Sequence, residues 1–403
     1  MILLIRMSIS MKNHVQAMML NGMVRVAGCS IHGGRQVTPG NMAVSEPMVL
    51  TILHINDHHS HLDAQSIALQ LATAKDKREA ISTELGGFPR ITAAFKELET
   101  QSEHVIKIHS GDAITGDLYY PLTEGRADAE MMNTVCFDVM TLGNHEFDHG
   151  DAGLKKFAEY LHDDQCRTAL LSANVRLGPD SPLAGASELV RPSIILERGG
   201  QEIGIIGLTV ADKTNNASRP DPGTHFSDEA TAAQREIDRL QALGVNKIIL
   251  ATHIGYEADL ALVEQLSGVD VVVGGDTHTL LGPEKLQKYG MSPAGPYPTH
   301  GTDRDGNPVC IVQAWQTSAV AGELQVHFDE HGVVTSCTGT PWILIGDAFN
   351  RPQPAADPLT PSELAAIKAD VVAGGGLRIT VPDAAATEIL APHTRKKLEL
   401  GDR

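Results

Sequence analysis

The sequence predicts an α/β protein in which strands and helices alternate. Short β-rich runs are separated by segments whose apolar residues recur at helical spacing. Several of the β-rich runs stop at a cluster of aspartate, histidine and glycine, as strands do at the functional edge of α/β folds. Apolar residues make up 42% of the 403 residues, which is enough to bury a large core.

The strand prediction is clearest where a polar cluster follows the apolar run. Five such strands are expected, over residues 49–55, 105–109, 139–142, 247–251 and 269–273. Helical spacing predicts helices over residues 88–100, 152–161, 227–243 and 256–266. A Pro/Gly-rich segment, 282–308, then precedes two further strands within 309–328.

The strand ends carry residues that could bind metal ions. If these ends meet at one sheet edge, they gather Asp57, His59, Asp112, Asn144, His253, Asp276 and His278. This nitrogen and oxygen set without thiolates suits Mn, Zn, Fe or Mg. Seven ligands are too many for one tetrahedral ion, but they suffice for two ions that share a carboxylate. Asp112 is the expected bridge, because Gly111 before it lets the backbone approach closely.

These motifs occur in the order found in calcineurin-like metallophosphatases, which the sequence resembles. Longer strings resemble the secreted 5'-nucleotidase branch of that family, and within it the periplasmic NAD-nucleotidase-like subgroup. They lie at residues 50–64, 109–120, 141–150, 171–175 and 315–324. The resemblance covers about residues 48–345 and implies a four-layer αββα sandwich, with two packed mixed sheets between outer helices.

The resemblance also implies a role for each candidate ligand. The first metal would be held by Asp57, His59 and His278, the second by Asn144, His253 and Asp276, with Asp112 between them. Both ions would be divalent: Mn, Zn, Mg, Co or Fe. Most family members have histidine where this chain has Asp276, and the harder carboxylate favours Mn or Mg.

His145 is expected to act on the substrate rather than on a metal. In the family pattern this histidine lies beside the reacting phosphorus, with Asp148 orienting its ring. A carboxylate that accepts one imidazole N–H raises the pKa of the ring, so the cation is available near neutral pH. His145 and Asp148 are therefore the predicted catalytic pair, and a hydroxide held between the two metals is the expected nucleophile.

The expected activity is hydrolysis of nucleotides, namely 5'-monophosphates and the pyrophosphate bond of NAD. One alternative is a related dimetal hydrolase acting on a cyclic phosphodiester or a sulfur-linked group. The other is a non-catalytic remnant that only binds metal. The net charge of −18 argues against binding to a nucleic-acid duplex, which needs a basic surface. The sequence leaves the oligomeric state open.

Other histidines and the cysteines are expected to be structural. His54 and His109 lie within predicted strands and are interpreted as core groups, while His58 and His61 flank the first motif without being assigned as ligands. The five cysteines show no CxxC pair, and the sequence analysis predicts no disulfide among them.

Both ends of the chain fall outside the predicted catalytic domain. Residues 1–47 read as a degraded secretion leader and linker, with a lipoprotein-like cleavage box at Val26–Ser30. If that leader works, the protein is periplasmic or otherwise extracytoplasmic and Cys29 carries a lipid anchor. Residues 346–403 are expected to form a Pro/Gly-rich linker and the start of an interdomain helix, without the C-terminal nucleotide-binding domain of the resembled family.

Overall fold

Strands and helices alternate through residues 46–184, 189–353 and 357–401, the part of the chain that the computed structural model describes. The strands are β1 (Met48–Ile55), β2 (Gln65–Ala74), β3 (Lys77–Leu85), β4 (Val105–His109), β5 (Val139–Thr141), β6 (Ala169–Leu171), β7 (Val175–Arg176), β8 (Val190–Arg191), β9 (Ser193–Arg198), β10 (Gln201–Thr209), β11 (His225–Phe226), β12 (Ile248–His253), β13 (Val271–Gly274), β14 (Thr299–Thr302), β15 (Pro308–Gln313), β16 (Val320–Phe328), β17 (Val334–Ile345) and β18 (Leu377–Ile379). The helices are α1 (Phe88–Thr100), α2 (Tyr119–Thr123), α3 (Arg126–Asn133), α4 (Gly150–Leu161), α5 (Ala211–Asn216), α6 (Glu229–Ala242), α7 (Tyr256–Val263), α8 (Pro361–Gly374) and α9 (Ala384–Gly401).

Two mixed sheets form the framework. The larger runs in the order β2-β3-β17-β16-β1-β4-β5-β6-β8, with β18 paired to β17, and the smaller runs β14-β15-β13-β12-β10-β9. Neighbouring strands from β1 through β4, β5 and β6 to β8 are parallel, as are β10, β12, β13 and β15. Parallel strands bring their carboxyl ends to one edge of each sheet. The loops after β1, β4 and β5 lie at that edge of the larger sheet, and those after β12 and β13 at that edge of the smaller sheet.

The side-chain alternation of β1 shows how the layers stack. Leu50 and Ile52 enter the core shared with the smaller sheet, whereas Leu53 and Ile55 pack into the core shared with α1, α3 and α4. Ile237 and Leu240 of α6 belong to the same core as the smaller sheet. The arrangement is helices, sheet, sheet, helices, so the predicted four-layer αββα sandwich is confirmed.

The C-terminal segment packs onto this framework. Helix α8 begins with a capping box in which Thr360 and Glu363 bond each other's backbone N–H groups, and it lies against β2. Helix α9 lies against α1, α2 and α3. The hairpins β2–β3 and β9–β10 and the helix α9 had not been predicted, whereas α1 was predicted with its observed bounds.

The prediction that the cysteines form no disulfides is wrong. Cys136 and Cys166, which precede the adjacent strands β5 and β6, are bonded with their Cα atoms 5.5 Å apart. Cys310 of β15 and Cys337 of β17 are bonded with Cα atoms 6.4 Å apart, and this bond links the two sheets. The prediction failed because both pairs join positions that only the tertiary fold brings together.

The predicted leader and its Cys29 lie outside the described residues. Within residues 46–401, apart from the two short gaps, no helix is both long and apolar enough to cross a bilayer.

Candidate active site

The predicted site residues lie together at the carboxyl edge of both sheets. Each follows or ends one of the parallel strands: Asp57 and His59 after β1, Asp112 after β4, Asn144 and His145 after β5, His253 at the end of β12, and Asp276 and His278 after β13. The strands therefore hold the backbone rigidly, and the turns that follow aim the side chains.

Five of the seven candidate ligands have a left-handed backbone conformation. Their φ angles are 50° for Asp57, 48° for His59, 54° for Asp112, 78° for Asp276 and 52° for His278. Among residues other than glycine, aspartate, asparagine and histidine adopt such angles most readily. These five residues therefore form tight turns that direct their side chains to one region.

One group of potential donor atoms comes from Asp57, His59 and His278. The Nε2 atoms of the two histidines are 3.0 Å apart, and His278 Nε2 lies 3.4 Å from Asp57 Oδ1. His59 Nε2 lies 3.7 Å from the same oxygen. These three residues offer ligand atoms within 4.8 Å of one another, close enough to hold one metal ion.

A second group comes from Asp57, Asp112 and His253. His253 Nε2 lies 3.0 Å from Asp112 Oδ2 and 3.9 Å from Asp276 Oδ1. Asp112 Oδ2 is also 3.7 Å from His59 Nε2, so this carboxylate lies between the two groups. The sequence analysis predicted that Asp57, Asp112 and Asp276 converge. All three carboxylates lie within 3.9 Å of the imidazole Nε2 of His253.

Two buried atoms in this region could each bind a metal ion. Asn144 Oδ1 has no hydrogen-bond partner among the described residues, and His253 Nε2 makes no hydrogen bond of good geometry there, although it lies 3.0 Å from Asp112 Oδ2. The other ring nitrogen of His253, Nδ1, lies 2.7 Å from the carbonyl oxygen of Ser110, and donation to that oxygen leaves the Nε2 lone pair free. Buried polar atoms are rarely left unpaired, so a divalent ion bound here would satisfy both.

The electrostatics of the pocket favour a cation. Burial alone would lower the pKa of His253, but Asp112 and Asp57, with Asp276, raise it well above its usual value. Burial would in turn raise the pKa of Asp112, yet His253 holds it well below its ordinary range. Clustered carboxylates need a compensating positive charge, which metal ions supply.

Lys213 is a feature of the site that the sequence analysis missed. It lies on α5, and its ammonium donates to both oxygens of Asp276 at 2.6 Å. The lysine side chain is 49% exposed, while that of Asp276 is 4% exposed. A metal that binds Asp276 must therefore share this carboxylate with Lys213 or displace it. No motif in the sequence around Lys213 pointed to this contact.

The predicted catalytic pair forms a short hydrogen bond. His145 Nδ1 lies 2.6 Å from Asp148 Oδ2, and this contact raises the pKa of His145 to about 9 despite partial burial. The backbone N–H of His145 donates to Asp112 Oδ1 at 2.9 Å, which ties the pair to the carboxylate cluster. A ring nitrogen of His145 also groups with His59 and Asp112.

Glu146 holds the loops together, a role the sequence analysis had not assigned. Its carboxylate accepts hydrogen bonds from the backbone N–H groups of Asp112 at 2.9 Å, Ala113 at 2.8 Å and Gly143 at 2.6 Å. A side chain on Gly143 would collide with the carboxylate of Asp112. In the Gly-Asn-His-Glu motif, Gly143 thus allows the backbone to approach Asp112, and Glu146 fixes the two loops by accepting their backbone N–H groups.

His54, His58 and His109 are structural, as expected for His54 and His109. His54 Nε2 is 2.7 Å from the hydroxyl of Tyr297. His109 Nε2 is 2.8 Å from Nδ1 of His58, whose other nitrogen lies 3.3 Å from the buried carboxylate of Asp128. His58 stands between the candidate ligands Asp57 and His59 in the sequence, but its buried side chain contacts His109 and Asp128 instead of the candidate site.

Comparison with known proteins agrees with this geometry. The family model described as calcineurin-like phosphoesterase matches residues 50–280. A probable 5'-nucleotidase of Treponema pallidum is 44% identical over 296 residues, covering 73% of this chain and 48% of the relative. The NAD 5'-nucleotidase of Haemophilus influenzae is 37% identical, with coverage of 73% and 47%. The chain thus spans about half the length of these curated relatives.

Solved structures give the same picture. The structure of Haemophilus influenzae NAD nucleotidase matches with a TM-score of 0.81 at 32% identity, covering 88% of this chain and 61% of that one. A 5'-nucleotidase precursor from Thermus thermophilus matches with a TM-score of 0.71, also at 32% identity, covering 88% of this chain and 60% of that one.

Proposed function

Because the chain belongs to the calcineurin-like phosphoesterases, we propose that it hydrolyses phosphoester bonds of nucleotides with the help of two divalent metal ions. The observation that carries this proposal is the convergence of Asp57, Asp112 and His253, whose ligand atoms lie within 4.8 Å of one another. Relatives named 5'-nucleotidase and NAD 5'-nucleotidase indicate the substrate class. The substrates are therefore 5'-monophosphates and the pyrophosphate bond of NAD.

Each candidate ligand takes a place in this proposal. Asp112 would contact both ions. Asp57, His59 and His278 would hold the first, and Asn144, His253 and Asp276 would hold the second. When bound, such a pair of ions lowers the pKa of water and neutralises charge on the phosphoryl oxygens.

His145 supplies the chemistry that the metals do not. With its pKa raised to about 9, the ring is a cation at neutral pH. Its Nδ1 is bonded to Asp148, so Nε2–H is the donor available to a phosphoryl or leaving oxygen. Asp148 fixes the ring orientation, and the backbone bond from His145 to Asp112 keeps both at a constant distance from the cluster.

We place the working protein outside the cytoplasm. The two disulfides within the catalytic domain support this, because such bonds persist in oxidising compartments. We also propose a lipid anchor at Cys29. The proposed division of the chain is a leader (1–47), a catalytic domain (48–345) and a C-terminal segment (346–403) whose helices α8 and α9 pack against that domain.

The direct test is phosphate release in the presence of Mn²⁺ from AMP, NAD and p-nitrophenyl phosphate, with a phosphatase-coupled assay for NAD cleavage. Asp112→Asn should lower kcat/KM by about a hundredfold or more, since even outer-shell changes at metal sites cost about 10–100-fold. The control is Asp180→Asn, an exposed aspartate outside the cluster. A protein that binds metal fully yet cleaves none of these substrates would refute the catalytic proposal; cleavage of only cyclic phosphodiesters would refute the substrate class.

A further inference from the structure

A cavity of about 580 Å³ opens beside the catalytic pair. We call it the Tyr120 cavity; its lining includes Thr115, Gly116, Tyr120, Asp148, His149 and Ala152. Its volume falls in the range of about 300–1,000 Å³ that is usual for small-molecule sites. A lone phosphoryl group would fill only a small part of it.

The inner wall of the cavity is shared with the candidate active site. Asp148 lines the cavity and also bonds His145 at 2.6 Å. Thr115 lies 3.5 Å from the same carboxylate oxygen. Gly116 is packed so closely against His59 that an added Cβ would lie 2.9 Å from the Cβ of that histidine. A group attached to a phosphorus atom beside His145 and His59 can therefore extend into the Tyr120 cavity.

The lining has the character of a site for a planar, polar heterocycle. Tyr120 is only 8% exposed, yet its hydroxyl has no hydrogen-bond partner among the described residues. Burial, with nearby carboxylates, raises the pKa of Tyr120 to about 12, so the phenol remains a neutral donor. The His149 ring lies 4.8 Å from that of Tyr120, tilted by 33°, and adds exposed aromatic surface.

A glycine without a side chain and an ion pair also line the cavity, and they provide space and polar groups for such a ligand. Gly153 forms part of the wall, and an added Cβ there would lie 2.8 Å from the Cβ of His149 and 3.8 Å from the Tyr120 hydroxyl. The ion pair of Lys156 with Glu124 also lines the cavity and offers polar groups to ribose hydroxyls or phosphate.

We propose that the Tyr120 cavity binds the second nucleoside of a dinucleotide whose pyrophosphate is cleaved at the metal cluster. The inference rests on the proposed function, and it assigns a site for the half of the substrate that a mononucleotide lacks. Water forms a bond to one phosphorus, the bridging P–O bond breaks, and the electron pair leaves with the other phosphate. One water is consumed, and two mononucleotides are released with the proton passing to solvent.

Filling the cavity tests the assignment. Ala152→Trp places a bulky ring at an exposed lining position of α4, and Ala365→Trp places the same ring at an exposed position of α8 as the control. We expect Ala152→Trp to lower kcat/KM for NAD by at least about tenfold while AMP changes less than about threefold. Equal losses for NAD and AMP would overturn the dinucleotide assignment, and so would no loss for either.

Removing the unpaired hydroxyl is the finer test. Tyr120→Phe keeps the ring and should raise KM for NAD roughly three- to tenfold, with AMP unchanged, since one hydrogen bond contributes about that much. Tyr160→Phe, which alters a half-buried tyrosine of α4 whose ring packs on Arg126, is the control. An unchanged KM for NAD in Tyr120→Phe would contradict the donor role.

A binding measurement separates failure of this inference from failure of the proposed function. Saturation-transfer NMR with adenosine and nicotinamide riboside needs neither metal nor turnover. At least one nucleoside should give a signal with the unaltered protein that Ala152→Trp removes and Ala365→Trp retains. If the protein cleaves no phosphoester but this pattern holds, the site stands and the activity is wrong. If neither signal depends on Ala152, the site is refuted whatever the activity.

Discussion

Replacing Lys213 by methionine should tighten metal binding at the Asp276 side of the cluster. The ammonium of Lys213 donates to both oxygens of Asp276 at 2.6 Å, so any cation that binds Asp276 competes with it. Methionine keeps an unbranched side chain of similar reach but has no charge. The variant therefore removes the competitor and leaves the carboxylate in place.

The size of the effect follows from the exposure of the pair. Two unit charges about 3 Å apart attract by ~5 kcal/mol at an effective dielectric constant of about 20. The lysine side chain is 49% exposed, however. Solvent and salt reduce the stabilisation from an exposed ion pair to about 1 kcal/mol or less. A value of about 1–2 kcal/mol lies between these limits and corresponds to about five- to thirtyfold tighter binding of the weaker ion.

Isothermal titration of metal-free protein with Mn²⁺ measures this change. Lys368→Met, which alters an exposed lysine of α8, is the matched control and should leave both affinities unchanged. An unchanged or weaker affinity in Lys213→Met would refute the reasoning, because it would mean that Lys213 supports the site rather than competing for it.

Three further predictions follow from the catalytic pair and the disulfides. His145→Asn should lower kcat by about 10²–10⁴-fold without loss of bound metal; steady-state kinetics with elemental analysis checks this, and loss of metal would contradict it. Asp148→Asn should bring the pKa of His145 down from about 9 toward 6.5. Because the cation exists only below that pKa, the rate of the variant should fall well below that of the unaltered protein at pH 8 and less so at pH 6; an unmoved alkaline limb of the kcat profile would argue against the pairing. Replacing Cys136 and Cys166 by alanine should reduce the free energy of unfolding by about 2–4 kcal/mol, measured by denaturant titration, and equal stability would show that the bond contributes nothing.

The part of the fold that the sequence predicted is the part with strong local patterns. The strand at 49–55 matches β1 because it is a nearly continuous apolar run, buried on both faces, that ends at a polar cluster. The helix at 88–100 matches α1 because its apolar residues follow the 3.6-residue period. Strands β2 and β3 alternate exposed residues with buried ones such as Leu69, Leu71 and Ile81, but they were not predicted because no cluster of aspartate and histidine follows them.

The candidate site was predictable for a geometric reason. Within the larger sheet, the parallel strands β1, β4 and β5 place their carboxyl ends at one edge, so the residues that follow them meet there. His253 and Asp276 come from strands of the smaller sheet, so the expectation of a single sheet edge was wrong, and the packing of the two sheets completes the cluster. Lys213 and the bonded cysteines could not be found in this way. Their partners are 63, 30 and 27 residues distant in the chain, and no local pattern records such contacts.

The number of metal ions bound per chain tests the account most directly. Metal-free protein loaded with Mn²⁺, washed, and analysed by native mass spectrometry should carry two ions per chain. Asp112→Asn should carry one or none, because its carboxylate lies between both donor groups. A single ion in the unaltered protein, or two retained in Asp112→Asn, would contradict the shared two-metal centre on which the proposed hydrolysis depends.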